Sequence, residues 1–349
     1  MRIFYLDLHI SVISEFKDVL SKLKIENLEI EGWLLSGHAW VLNKESHTGK
    51  VINPDNWTSL NNQLISQFQK KYDEFLKSFD AFFVGYPTSF ILLLAKYNKP
   101  IIVYNCVRYD LPFCWTNDYE MVDQLNNTLT TLYKGGKLVV ISNNLGDHDY
   151  FNLAPHGVPS TLIPTLGEYA RIKKNKTKKT SLIYSGEAKF KKNRLLTFRS
   201  ELGRFDWSEL GAYESIIHLP YEISTMSMAE HYSSGVPLFF PSISFILDEW
   251  EKDNNFLQSK YWLHRQRLEF PSYLENALNK NSNFWWVSRS DFYNTLENVN
   301  FYYSFDDLYD KLSNLRTEVL ISPSQRILEQ RKATALDLWR QCLKTISII

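Results

Sequence analysis

Short apolar runs rich in β-branched and aromatic residues alternate along this chain with longer stretches whose apolar positions recur at helical spacing. That is the pattern of βα units feeding a parallel sheet. In the first half the runs are Arg2–Leu8, Glu29–Leu35, Ala81–Pro87, Pro100–Cys106, Lys137–Asn143 and Ser160–Pro164. Helical periodicity fills the spaces at roughly 11–24, 58–79, 88–98, 118–134 and 145–154, which predicts one complete doubly wound domain.

The polar basic run Arg171–Lys179 has no hydrophobic periodicity and reads as a solvated linker rather than a nucleic-acid patch. Strand signals resume at Ser181–Gly186, Glu214–Pro220 and Pro237–Pro241, with weaker ones at Phe284–Val287 and Asn300–Tyr303. Ser322–Ile346 opens on Ser-Pro and places apolar residues near helical spacing, which predicts a helix long enough to cross back and brace the first domain. The chain is therefore expected to form a Rossmann-like domain over 1–170, a second over 180–325 and a crossing helix over 326–349, the two α/β domains facing across a cleft.

A length of 349 residues supports this division, because one core seldom keeps growing to that size. Charged residues make up 22% and balance to a net charge of zero, which argues against disorder and against a nucleic-acid partner. Cys106, Cys114 and Cys342 show no metal-ligand spacing and are expected to be reduced thiols. The apolar run after Met1 carries no small-residue cleavage site, which argues against a signal peptide, and no apolar stretch approaches the roughly 20 residues of a membrane span. A cytoplasmic protein is expected, with the inner face of a membrane as one place of action.

In doubly wound sheets ligands sit beyond the carboxyl ends of the strands. The richest such segment is Ile216–Ser242, where an apolar strand runs into a polar turn and then a helix beginning among Ser224, Thr225, Met226 and Ser227. A helix start there offers backbone N–H groups and a positive dipole end to a phosphate. Glu222 and Glu230 flank that start, and a carboxylate on the helix can accept hydrogen bonds from ribose hydroxyls. The alternative is that Ser227 and Glu230 form a capping box and nothing more.

This segment, with Gly235-Val236-Pro237 after it, resembles the E-x7-E and Gly-x-Pro of retaining glycosyltransferases with the two-domain GT-B fold. The resemblance implies that Glu230 binds the donor ribose and that Glu222 lies near the sugar. It also implies that the loop Tyr184–Arg194 lends a basic residue to the donor pyrophosphate, with Lys189, Lys192 and Arg194 as candidates. Ile-Ser-Thr-Met-Ser stands where the family has a glycine-rich stretch.

His218, at the end of the same strand, reads either as a ligand or as a packed strand-end histidine. In the first domain the strand ends carry Asp7, His9, Ser36, His38, Tyr86, Thr88, Arg108, Asp110 and the segment Ser142–Asp147. Polar groups gathered on one edge are what an acceptor hydroxyl needs. Asp110, Asp7 and His9 are the candidate general bases, and the alternative for Asp110 is a structural pairing with Arg108.

Phosphate-loop, dinucleotide-fingerprint, nucleophile-elbow and zincin motifs are absent from the sequence. The expected activity is transfer from a nucleoside diphosphate sugar to a saccharide or lipid-linked saccharide without an obligatory metal. A nucleotide-sugar 2-epimerase and a non-catalytic saccharide-binding protein are the competing readings.

Overall fold

The central strands form where the chain is apolar on both faces. The computed structural model describes residues 1–42, 44–252, 282–314 and 320–349. Its first half builds β1 (Arg2–Asp7), β2 (Glu29–Leu34), β3 (Ala81–Val84), β4 (Ile101–Asn105), β5 (Leu138–Ser142) and β6 (Thr161–Leu162). They pair in the order β2-β1-β3-β4-β5-β6, every pairing parallel. β3, β4 and β5 are buried along their whole length, as strands covered on both faces are.

The helices of this half are α1 (Ile10–Leu23), α2 (Asn62–Lys77), α3 (Ile91–Leu94), α4 (Phe113–Thr116), α5 (Tyr119–Lys134) and α6 (Leu145–Leu153). Asn61, Asp118 and Asn144 start α2, α5 and α6, each side chain accepting a backbone N–H three residues on. Such a cap is worth about 1 kcal/mol. The apolar stripe of α1 (Ile10, Val12, Ile13, Phe16, Val19 and Leu20) is buried, and Phe16 stacks on Phe83 of β3 with centroids 3.8 Å apart.

The second half repeats the plan with β7 (Ser181–Ile183), β8 (Leu196–Phe198), β9 (Ile216–Ile217), β10 (Leu238–Pro241) and β11 (Asn300–Tyr302). Their order is β11-β10-β9-β7-β8, again parallel. Its helices are α7 (Met226–Ser233), α8 (Ile243–Lys252), α9 (Ser282–Ser288), α10 (Asp291–Asn294), α11 (Phe305–Ser313) and α12 (Gln325–Thr345). Counted from its own first strand, each sheet runs 2-1-3-4-5, the first with a sixth strand added. The winding therefore reverses between β1 and β3 and between β7 and β9, and such switch points are where doubly wound sheets take their ligands.

Met1–Pro164 and Thr334–Ile349 belong to one compact unit, and the described residues from Thr165 to Ala333 to another. The helix α12 is thus shared. Trp339 on its later turns is 1% exposed, with its ring 6.0 Å from Phe16 and 5.6 Å from Tyr104, so the end of the chain completes the core of the first unit.

Two local expectations fail. Phe284–Val287, expected as a strand, lies within α9, where Trp286 and Val287 are buried side by side instead of alternating. Short apolar runs do not distinguish helix from strand by periodicity. Conversely β8 is a strand that no pattern announces, three residues long and paired only with β7. The basic run Arg171–Lys179 is also tied down, since the N–H groups of Asn175 and Lys178 donate to the carbonyls of Gly211 and Ala212 at 2.9 Å.

Candidate functional site

At the switch point of the second unit, β7 runs out into Tyr184-Ser185-Gly186 and β9 into His218-Leu219. The turn after β9 leads to α7, whose first residue is Met226 and whose N-cap is Thr225 in extended backbone with no side-chain capping bond. Ser227 therefore sits inside the helix, and the Ser227/Glu230 capping box does not form. The Thr225 and Ser227 hydroxyls instead lie 2.9 Å apart, while Ser224 donates to the carboxylate of Asp291 on α10. A further bond runs from the Asp291 N–H to the Ile223 carbonyl at 3.0 Å, so Asp291 holds the end of the loop just before α7. Met226 is buried under Thr165, whose hydroxyl is 3.8 Å from its sulfur.

Glu230 lies one turn into α7 and is only 3% exposed. The hydroxyl of Tyr169 donates to its Oε1, and a buried carboxylate needs such partners. Gly167 makes the approach feasible: its φ is +72°, and a Cβ there would stand 2.4 Å from the Ala229 carbonyl carbon and 2.5 Å from the Glu230 nitrogen. Only glycine lets the 165–170 loop press on the helix backbone. Glu222 is half-buried in the loop before α7, with Oε1 accepting the N–H of Ile223 at 2.9 Å.

Around Glu230 the structure gathers residues that sequence reading did not single out. The guanidinium of Arg199, directly after β8, lies 4.9 Å over the ring of Tyr184. Arg199 is exposed, and no carboxylate pairs with it among the described residues. Burial and then Glu230 push the Tyr184 phenol up, and Arg199 opposes them. The fields of Glu230 and Arg199 thus meet at one tyrosine.

Beneath them His218 and His231 are both buried, with Nε2 of the first 3.1 Å from Nδ1 of the second. His218 stacks on Phe240 at 5.0 Å, and Tyr184 meets His231 edge-on at 4.2 Å. Burial lowers His218 to about 3; burial, His218 and Arg199 hold His231 well below its ordinary value. Both rings are therefore neutral at pH 7, one donating to the other. Nε2 of His231 and Oγ of Ser185 are buried with no hydrogen-bond partner among the described residues.

The three expected cations lie on the loop after β7. Lys192 is largely exposed and ion-paired with Glu201, Arg194 is exposed, and Lys189 is half-buried in the turn after Gly186. Arg199 was hidden from sequence reading because it ends a strand that the pattern does not show.

At the switch point of the first unit, Asp7 is fully buried and accepts the N–H of His9 at 2.6 Å and that of Tyr86 at 3.2 Å. Burial pushes its carboxyl far up against those two bonds. A Cβ on Gly85 would come within 2.0 Å of Asp7 Oδ2, so the two strand ends touch through a glycine. His9 is the N-cap of α1 and makes no side-chain cap bond; desolvation by dense surroundings and then His38 push its imidazole down.

Asp110 is 1% exposed, and its Oδ2 accepts the Tyr150 hydroxyl at 2.7 Å. Burial raises it, opposed by the Tyr150 and Cys114 hydrogen bonds. Arg108 does not form its ion pair with Asp110 but with Asp147, at 3.2 Å with both side chains 2% exposed.

Among the described residues no helix is long and apolar enough to cross a membrane, and no three His, Cys, Asp or Glu residues gather as a metal-ligand set. No protein-family model matches the chain, and no curated protein matches it. Among solved structures, the chain is similar to a Listeria monocytogenes protein assigned as a UDP-N-acetylglucosamine 2-epimerase, at 9% identity over 91% of this chain and 97% of that one, with a TM-score of 0.44. It is similar to the glycosyltransferase of kitacinnamycin at 10% identity, covering 99% and 96%, with a TM-score of 0.41. Its likeness to the glycosyltransferase VinC, solved with dTDP, has 10% identity, full coverage of both chains and a TM-score of 0.40. At such identities and scores these likenesses assign neither an activity nor a ligand to this chain.

Proposed function

We propose that this protein is a glycosyltransferase that moves a sugar from a nucleoside diphosphate sugar to a saccharide or lipid-linked glycan in the synthesis of a surface polysaccharide or other glycan. The observation that carries this reading is the buried Glu230 on α7, at the switch point of a doubly wound sheet, beside the exposed cation Arg199. A dinucleotide-type site needs these parts: a carboxylate to accept ribose hydroxyls, a helix start and a cation for the diphosphate. The unpartnered His231 and Ser185 atoms add polar capacity that a bound ligand would satisfy.

In this reading Glu230 holds the ribose, the start of α7 at Ser224, Thr225 and Met226 receives the diphosphate, and Glu222 lies toward the sugar. Arg199 takes the role first expected of Lys189, Lys192 or Arg194, stabilising the charge that develops as the diphosphate leaves. The bond from the anomeric carbon to the diphosphate oxygen breaks, and a bond to the acceptor oxygen forms. With retention of configuration, which the E-x7-E resemblance favours, the acceptor proton passes to the departing diphosphate. A second reading, inversion, needs a general base, and His9 stands at the other switch point as the N-cap residue of α1 with no side-chain cap bond. Asp110, buried against Tyr150, is the other candidate base.

A thermal-shift panel of nucleoside diphosphates and their sugars tests this, because a ligand specific for the native state raises its apparent stability. A response to at least one diphosphate is expected. Glu230→Ala is expected to weaken that ligand by about 1.5–3 kcal/mol, the range for a hydrogen bond to a charged group. No response to any nucleotide would favour a non-catalytic saccharide binder, and consumption of sugar nucleotide without acceptor would favour an epimerase.

A further inference from the structure

Beside His9 the first unit carries an array of aromatic rings that nothing in the donor reading uses. Tyr86, just past β3, has its ring 6.4 Å from that of His9 and 5.6 Å from that of Trp57. Trp57 in turn lies 5.4 Å from Trp115 on α4. These three aromatic side chains are half-buried rather than enclosed. They meet at 57–63°, so they make a folded wall and not a closed stack.

The array is held rigidly. Trp57 opens a short helical turn: its N–H and that of Asn56 donate to the Asn53 carbonyl, the N–H of Ser59 donates to the Asn56 carbonyl, and the Asn56 side-chain amide donates to the Val51 carbonyl at 2.8 Å. Trp115 sits one residue after Cys114, whose N–H donates to the Asp110 carbonyl at 3.2 Å. The buried Asp110–Tyr150 bond thus supports the turn that carries Trp115. Rigid aromatic surface lets a ligand bind without the cost of ordering the site. Exposed Thr58, Ser59 and Thr116 border the rings.

We infer that Trp57, Tyr86 and Trp115 are the platform on which a pyranose ring of the acceptor lies, making the acceptor a saccharide that is recognised through its sugar rather than through a lipid chain. This rests on the transferase reading. A pyranose has an apolar C–H face that packs on aromatic rings and a rim of hydroxyls that needs polar partners; the wall supplies the first and its Thr/Ser border and His9 the second. The position also fits, because the switch point of a doubly wound sheet is where a ligand is expected.

The test uses the full chain and saturation-transfer NMR with methyl β-glucoside, methyl β-galactoside, cellobiose and N-acetyllactosamine, and dodecyl phosphate as the lipid probe. Transfer to the ring C–H protons of at least one sugar is expected. It should fall about tenfold in Trp57→Ala and Trp115→Ala, and survive in Trp57→Phe. Binding of dodecyl phosphate alone, binding of no sugar, or sugar binding unchanged in both alanine variants would overturn the inference. Nucleoside diphosphate affinity, measured on the same variants, should stay at the wild-type value. Sugar binding without any nucleotide binding would remove the donor reading and leave the platform standing.

Discussion

On the transferase reading, single charges govern ligand binding in the second unit. Arg199 and Glu230 act on the same tyrosine from opposite signs, so Arg199→Ala is expected to weaken a nucleoside diphosphate far more than the corresponding nucleoside, since only the former carries the complementary charge. Calorimetry with both ligands checks this, and equal losses would return the role to Lys189. The buried pair gives a stability prediction. His218 titrates at about 3 in the fold and near 6.5 when unfolded, so between those values the unfolded chain binds a proton that the native state refuses. Stability from this pair is present above about pH 6.5 and is lost as pH falls toward 3. His231→Gln should flatten the fall in melting temperature between pH 7 and 5; an unchanged acid slope would place the acid sensitivity elsewhere.

At the scale of elements, close backbone approach matters as much as side chains. Gly167 lets the 165–170 loop touch the α7 backbone and bring Tyr169 to Glu230. Gly167→Ala adds a Cβ where φ is positive and backbone atoms stand within 2.5 Å, so it should cost about 1–3 kcal/mol by overpacking. Urea denaturation reads that cost, and an unaltered midpoint would contradict the contact. The long strands and the longer helices were legible in the sequence because a run such as Ile101–Tyr104 is apolar and the helical stretches carry regular apolar periodicity; the one cap read from the sequence, at Ser227, does not form. β8 was not legible, because three residues at a sheet edge carry too little pattern, and Arg199 was lost with it. α9 was misread for the matching reason, a short apolar run with no length to arbitrate.

Across the whole molecule, two sheets of the same winding are joined by a chain whose last helix belongs to both units. Residues from Thr334 onward bury Trp339, Cys342 and Leu343 in the first unit. Trp339→Ala should therefore cost about 3–5 kcal/mol through loss of a large buried side chain. Removing Thr334–Ile349 should unfold the first unit rather than act on catalysis alone. Circular dichroism melts of both variants check this; a truncated chain that melts like the intact one would show that the helix is dispensable.

The sequence by itself determined what is local: βα alternation, the parallel class of both sheets, and a polar strand-to-helix segment holding Glu222 and Glu230. These follow from periodicity and side-chain chemistry within a few residues of each other. Only the tertiary structure decided which strand ends become neighbours. It placed Arg199 over Tyr184, 15 residues away in sequence, paired Arg108 with Asp147 instead of Asp110, and drew Trp57, Tyr86 and Trp115 together from three separate segments of the chain. The physical reason is that strand order is set by burying whole faces of the sheet at once, a cooperative choice that no local pattern encodes.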